Sequence, residues 1–386
     1  MPMKRLTLCL LLFFLSTITV YAKEPTVAAQ GAVLLDGKSG RVLWEQGGET
    51  PLAMASTTKI MTALLVLEEA EAEELVTISK TAARQPEVRM GLVEGEEWRV
   101  AELLTAMLLR SYNDAAAALA EHISGSIPAF CEKMTERAAA LGAKDTVFGS
   151  PNGLDSHLSP EQHHSTAADM AKITAYALQD PDFRRIIAQP EATITNAEGK
   201  HLCHFTNADR LLREYSGAIG VKTGYTNRAG HCFVGAAERG EVLLITTVLG
   251  SGWGSSGKEQ KWKDTKALLD YGFSTYQVYP ILSADENAGV VPIQGSPVSA
   301  LPVSFAEDYS GLFSAEERQA LQQEIRLPEV VAAPVEKGDK LGSIRLSLKG
   351  ETLAEIDLVA EKDAPSYTLR EQLLQLAKQW IGWRNF

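Results

Sequence analysis

The segment Pro51-Leu-Ala-Met-Ala-Ser56-Thr-Thr-Lys59-Ile-Met-Thr-Ala-Leu-Leu-Val-Leu67 leaves the chain little conformational choice. Apolar residues at 60, 61, 64, 65 and 67 recur with helical spacing, and Pro51 and the small Ala55 precede them. The pattern predicts a buried helix opened by Ser56, with Lys59 one turn along on the same face. A serine hydroxyl becomes a nucleophile when a neighbouring base takes its proton, and Lys59 is within reach to do so. Backbone N–H groups at a helix start can also stabilise an oxyanion. Alone this signal is weak, because Ser-x-x-Lys arises about once by chance in a chain of this length. Its weight comes from two more polar clusters downstream in the chain.

The chain has 386 residues, enough for two or three domains, and 45% of them are apolar, which supports a sizeable core. Lys4 and Arg5 precede an almost unbroken apolar run from Leu6 to Val20, and Val20-Tyr21-Ala22 ends it. Residues 1–22 therefore read as a secretory signal peptide, the run being short for a retained span. Removing Lys4 and Arg5 takes the formal charge from −12 to −14. An acidic export product is a poor partner for nucleic acid. Cys131, Cys203 and Cys232 form neither a disulfide framework nor a zinc site. Buried thiols are expected, with Cys203–Cys232 the one pair left open to bridging.

Gly31 to Asp36 and Arg41 to Glu45 flank Gly37-Lys-Ser-Gly40 and read as a β-hairpin. After the Ser56 helix come a short strand, Leu75 to Ile78, and an irregular loop over 80–91. The strongly apolar Val100 to Leu109 reads as a helix that breaks at Arg110-Ser111-Tyr112-Asn113. An alanine-rich helix then starts near Asp114. Helices are expected at 127–141 and 165–178, the latter opening with Thr166 and Asp169 in capping-box spacing. Past residue 190 the pattern turns to short strands at 192–196, 202–206, 217–223, 230–238 and 241–249, then a helix from Lys258 to Tyr276. A hairpin, a helical block, strands and a closing helix predict an α+β sandwich whose N- and C-terminal pieces share one antiparallel sheet.

From residue 278 five short strands (290–293, 298–305, 330–333, 341–348 and 352–359) form a small all-β domain without histidine or nucleophile motif. The last segment is amphipathic. Leu369, Leu373, Leu376, Trp380 and Trp383 share a stripe, widened by Leu374, Ala377 and Ile381. With Lys378 and Arg384 beside the tryptophans, it suits a helix lying in a membrane interface. The division expected is 1–22 signal peptide, 23–277 catalytic domain, 278–363 β domain and 364–386 membrane-associating helix. The seven histidines show no ligand spacing, and His163-His164 sits in a loop without evident partners, so no metal or organic cofactor is expected.

Two further polar clusters suit the Ser56 site. Ser111-Tyr112-Asn113 lies at a junction of helices, where a loop aims a hydroxyl and an amide at a cleft. Lys222-Thr223-Gly224 ends an apolar strand, where lysine and threonine can bind a carboxylate and glycine lets a substrate backbone approach. Ser-x-x-Lys, Ser-x-Asn and Lys-Thr-Gly in this order are the motif set of the penicillin-recognising serine acyl enzymes. With Gly95-Glu, Pro151-Asn-Gly-Leu-Asp155 and Ser165-Thr-Ala-Ala-Asp-Met-Ala171, residues 25–277 resemble the serine-type D-alanyl-D-alanine carboxypeptidases among the low-molecular-weight penicillin-binding proteins. Gram-positive members, including those made during sporulation, are the most similar.

The resemblance implies the serine β-lactamase/transpeptidase-like sandwich and an exported enzyme at the outer face of the cell membrane. The enzyme would trim the terminal D-alanine from peptidoglycan stem pentapeptides and take β-lactams as covalent inhibitors. Ser56 would form the acyl-enzyme, Lys59 act as base, and Ser111 relay a proton to the leaving D-alanine. Asn113 would hold the acyl-side chain amide, and Lys222 and Thr223 the terminal carboxylate. Gly224 would admit the substrate backbone, and the N–H groups of Ser56 and Tyr225 would form the oxyanion hole. Lys222 near Lys59 would depress the base's pKa. Two departures stand out: Tyr112 where relatives often carry a small residue, which would narrow the cleft or give the substrate a ring to touch, and Lys261 where several carry a carboxylate-binding arginine. A β-lactamase of the same fold and a non-catalytic wall-binding module are the alternatives. A class A β-lactamase needs a glutamate that activates water. The loop 151–164 has only Glu161, with no asparagine following it at close spacing, which argues against the first. All seven motif residues are intact, which argues against the second.

Overall fold

Along the strand β1 (Gly31–Asp36) successive side chains point to opposite faces, and both faces are buried. In the computed structural model, which describes residues 23–284 and 286–382, Val33 and Leu35 pack into a helical block. Ala32 and Leu34 pack on the other side against Trp262, Leu268 and Leu269. A strand covered on both faces reads as a continuous apolar run, which is what Gly31-Ala-Val-Leu-Leu supplies.

The hairpin partner is β2 (Val42–Gln46). The nucleophile segment forms a 3-10 turn over Ala55–Thr58, and α1 (Lys59–Glu69) begins at the lysine rather than at Ser56. The chain continues through β3 (Leu75–Thr77), α2 (Lys80–Ala83), β4 (Glu97–Arg99), α3 (Val100–Arg110), α4 (Asn113–Ser124) and α5 (Ile127–Ala140). Next come α6 (Ala167–Ala177), α7 (Pro181–Ile187), the small hairpin β5 (Glu191–Thr195) and β6 (Leu202–Thr206), and α8 (Leu211–Glu214). Three long strands follow, β7 (Ala218–Thr226), β8 (Gly230–Arg239) and β9 (Val242–Leu249), then α9 (Gly254–Thr275). The principal sheet has the order β2-β1-β9-β8-β7, antiparallel throughout, so the first hairpin and the late strands share one sheet as expected. The short elements α2, β4, α7 and α8 were not legible in the pattern. Each is at most seven residues, too short for periodicity to register.

Beyond α9, β10 (Gln277–Leu282) pairs with β13 (Tyr309–Phe313). All five expected strands are present, as β11 (Asn287–Gln294), β12 (Ala300–Phe305), β15 (Val331–Ala332), β16 (Lys340–Leu348) and β17 (Glu351–Ala360). Together with β14 (Gln322–Arg326) they form a six-stranded sheet, order β14-β16-β17-β12-β11-β15, around its own core of Val291, Val303, Ile344, Leu346 and Leu358. This unit is not wholly β, because α10 (Ala315–Ala320) interrupts it through a Ser314–Glu317 capping box that the sequence displays. Arg41 joins the two units, pairing with Glu317 through two 3.0 Å contacts and donating to the Leu312 carbonyl at 2.5 Å. A final helix, α11 (Leu369–Gly382), follows. The signal peptide expected over 1–22 and Trp383 and Arg384 lie outside the described residues, as do the side chains of Lys378, Trp380 and Ile381.

Candidate active site

Ser56 is fixed by crowding on two sides. The turn that carries it is closed by Thr57 Oγ1 donating to the Met54 carbonyl at 2.7 Å and Thr58 Oγ1 to the Ala55 carbonyl at 2.8 Å. Ala55 is held at φ +48°, a left-handed conformation that a non-glycine residue adopts only where its surroundings impose it. A Cβ on Gly153 would lie 2.0 Å from the Ala55 carbonyl oxygen, and one on Gly224 2.9 Å from the Ser56 nitrogen. Only glycine at both positions lets the 151–153 loop and β7 approach the nucleophile this closely.

Lys59 is fully buried and makes three contacts: Ser56 Oγ at 2.9 Å, Asn113 Oδ1 at 2.8 Å and the Asn152 carbonyl at 2.6 Å. A neutral amine has two N–H groups and one lone pair. With Asn113 Oδ1 and the Asn152 carbonyl taking the two N–H groups, the lone pair is left for the Ser56 hydroxyl proton. Burial pushes Lys59 well below the usual lysine value, the Lys222 charge adds to this, and Asp114 opposes it. The expected Lys222 effect is therefore present but second to desolvation.

Asn113 is buried and engaged at both ends of its amide, since Nδ2 donates to the Pro86 carbonyl at 3.1 Å. Asp114 receives the backbone N–H groups of Met90, Gly91 and Leu92 at 2.9, 2.8 and 3.1 Å, which fixes the 86–92 loop against the start of α4. Ser111 ends α3 at φ +68° and takes no part in the Ser56–Lys59–Asn113 contacts. The Tyr112 ring is half-buried and packs edge-on against Phe205 with centroids 5.8 Å apart, so it serves the core next to the site rather than blocking it.

On β7, Lys222 is buried and its Nζ donates to the Thr223 carbonyl at 3.1 Å. Burial, with Lys261 adding, pushes Lys222 down to about 7, and Asp209 opposes. Because β7 is the last strand of its sheet, no further strand among the described residues pairs with its outer edge. Such an edge can hydrogen-bond an extended peptide as an added strand. Tyr225 is exposed and stacks on His231 at 4.4 Å. Lys261 is buried with its Nζ 4.9 Å from the Trp262 ring centre. Glu161 is exposed. It is the Asn152 carbonyl, not a loop carboxylate, that flanks Lys59.

Sequence reasoning missed two contributors. The Asn152 carbonyl is backbone and has no side-chain signature. His163, expected to lack partners, is fully buried and has two. The Gly149 N–H donates to its Nδ1 at 3.0 Å, so Nε2 carries the proton and donates to Thr58 Oγ1 at 3.3 Å, beneath the nucleophile turn. Burial holds this imidazole down at about 4. A histidine whose folded value lies below its unfolded one contributes stability that is complete above about 6.5 and lost as the pH falls toward about 4. The stability deficit of His163→Gln relative to wild type is therefore expected to narrow by about 2 kcal/mol between pH 7.5 and 4.5 in urea denaturation. A deficit independent of pH would contradict the neutral, buried assignment. Cys131, Cys203 and Cys232 are free thiols, so the bridge left open between the last two is not formed.

Residues 18–252 match the family model described as D-alanyl-D-alanine carboxypeptidase, and residues 276–366 the model of the penicillin-binding protein 5 C-terminal domain. The chain is similar to the D-alanyl-D-alanine carboxypeptidase DacF of Bacillus subtilis (strain 168), 33% identical over 341 residues that cover 87% of this chain and 85% of that one. It is 37% identical over 251 residues to a D-alanyl-D-alanine carboxypeptidase of Mycobacterium tuberculosis, covering 65% and 84%. Among solved structures, penicillin binding protein 5 from Haemophilus influenzae superposes with a TM-score of 0.72 at 27% identity, over 89% of this chain and 100% of that one.

Proposed function

The chain belongs to the D-alanyl-D-alanine carboxypeptidase family, and we propose that its reaction runs through an acyl-enzyme on Ser56. The enzyme is a serine-type carboxypeptidase of the cell wall; it acts on peptidoglycan outside the cytoplasm and binds β-lactams covalently. In the proposed cycle the Ser56 hydroxyl gives its proton to the neutral Lys59 amine as Oγ attacks the carbonyl between two terminal D-alanines. The oxyanion is held by the backbone N–H groups of Ser56 and Tyr225. Collapse breaks the C–N bond, Ser111 passes a proton to the leaving amine, and water then hydrolyses the ester. Lys222 and Thr223 bind the terminal carboxylate, Asn113 steers Lys59 and faces the acyl side, and Gly224 gives the substrate backbone room beside β7. The observation that carries this reading is the Lys59 geometry: two N–H groups engaged and the third contact, at 2.9 Å, on Ser56 Oγ.

Intact-mass analysis of the protein mixed with benzylpenicillin, with peptide mapping, tests the assignment. A persistent adduct on Ser56, with D-alanine released from a pentapeptide, supports it. An adduct on another residue, or rapid turnover of the drug, refutes it.

The proposed division keeps residues 1–22 as an export signal, 23–277 as the catalytic unit and 278–363 as a β spacer. Residues 364–386 are the membrane-associating segment. No helix among the described residues is long and apolar enough to cross a membrane. The proposed attachment is instead interfacial, supported by the outward exposure of Leu369, Leu373, Leu374 and Leu376 on α11. Deleting residues 367–386 is expected to move the enzyme from the membrane to the soluble fraction with kcat/KM on a soluble pentapeptide unchanged. A truncated protein that still pellets with membranes would rule this attachment out.

A further inference from the structure

The stretch from Gln85 to Val88 touches both residues that aim the Lys59 amine. The Asn113 N–H donates to the Val88 carbonyl at 2.7 Å, and Asn113 Nδ2 donates to the Pro86 carbonyl at 3.1 Å. Asn152 Nδ2 donates to Gln85 Oε1 at 2.9 Å. These contacts decide orientation. The Pro86 carbonyl accepts only from the NH2 end of the Asn113 amide, which turns Oδ1 toward Lys59 Nζ, 2.8 Å away. With the amide reversed, the Lys59 amine would face a second donor.

Burial does not hold this stretch in place. Pro86, Glu87, Val88 and Arg89 are all exposed, and the Arg89–Glu87 ion pair lies on the surface. A loop with so few buried side chains opens at low cost unless hydrogen bonds fix it. Asp114 supplies them, fully buried in the first turn of α4. Its Oδ1 accepts the N–H groups of Met90 and Ala115 at 2.9 and 3.1 Å, and its Oδ2 those of Gly91 and Leu92 at 2.8 and 3.1 Å. A carboxylate suits this place because it only accepts, and each oxygen here takes two N–H groups.

We propose that Asp114 is a positioning residue for the catalytic base: it clamps the 85–92 loop so that Pro86 and Gln85 hold Asn113 and Asn152 against Lys59. The proposal rests on the assignment of Lys59 as the base for Ser56. The Asp114 charge by itself works in the other direction, because it favours the protonated Lys59 amine. Losing the charge alone would leave acylation unchanged or make it faster, whereas losing the clamp slows it.

The test is the second-order rate of acylation by benzylpenicillin at neutral pH, using the full chain. Asp114→Asn turns one acceptor oxygen into an NH2 group that faces two N–H donors. The rate is expected to fall about tenfold, within the range for a slightly misaimed reactive group. In an Asn113→Ala background no amide is left to aim, and the same substitution is expected to cost less than about threefold. Gly91→Ala probes the clamp from the loop side. Gly91 and Gly95 have φ of +90° and +89°, and a Cβ on either meets nothing within 4 Å, so alanine strains both backbones alike. Gly91 donates to Asp114, and Gly95 to the Ile78 carbonyl. Gly91→Ala is expected to slow acylation about fivefold and Gly95→Ala less than about twofold. A loss in Asp114→Asn that largely disappears without Asn113 supports the proposal. Unchanged or faster acylation in Asp114→Asn overturns it, as does the same factor in both backgrounds. If Asp114→Asn does not fold, equal rates for the two glycine variants overturn it instead. Lys59→Met acylated at a rate near wild type overturns the base assignment, and this proposal with it.

Discussion

Ser56→Ala is expected to abolish penicilloyl labelling and to lower kcat for D-alanine release by about 10⁶-fold, the scale of removing the nucleophile from a serine peptidase. The expected structural cost is small. Among the described residues, the hydrogen-bond partners of Ser56 Oγ are Lys59 Nζ at 2.9 Å and the Asn152 carbonyl at 3.2 Å. Both partners keep each other through the 2.6 Å Lys59–Asn152 contact, so the loss is one hydrogen bond, about 1 kcal/mol. Thermal denaturation should thus show a folded, nearly wild-type protein without turnover. Residual hydrolysis above a few per cent, or an adduct elsewhere, would require another nucleophile.

The second large effect concerns the base. Lys59→Met keeps the length and apolar stem of the side chain and removes the amine. The second-order rate of acylation by benzylpenicillin is expected to fall by about 10²- to 10⁴-fold, the range for loss of a positioned general base. The same variant has a signature in stability. A lysine whose folded value is depressed leaves the unfolded chain binding more protons below about 10.5, so wild-type stability rises with pH from neutrality toward that value. Lys59 and Lys222 both contribute to that slope. Lys59→Met loses the Lys59 share and leaves Asn113 Oδ1 and the Asn152 carbonyl without their partner, a deficit of about 1–3 kcal/mol at pH 10. Toward pH 7 the deficit narrows, because the variant no longer has to keep a buried amine neutral. Urea denaturation at the two pH values measures both. An acylation rate within tenfold of wild type would remove Lys59 from the role of base.

Much of this was open to reading along the chain. Ser56, Lys59, Asn113 and Lys222 are side chains whose chemistry is written in their type, and the order of their motifs is local information. The long elements were legible too, because β1, α3 and β9 bury one face or both and so carry a continuous or periodic apolar pattern. The elements that escaped are short or exposed. β14 shows no buried residue, and α8 is a single turn held between neighbours.

What the sequence determined by itself is the inventory: a nucleophile, an amine to activate it, a strand end for a carboxylate, and a fold whose first hairpin shares a sheet with the strands that follow the helical block. Tertiary structure alone decided how the amine is tuned and aimed. The tuning comes from complete burial and from Lys222, more than 160 positions away in the chain. The aim comes from a backbone carbonyl at Asn152 and from glycines at 153 and 224 that bring two distant segments against one turn. The support comes from His163 under Thr58. Desolvation and close backbone approach belong to the packed arrangement of many segments, and no residue type or spacing encodes them locally.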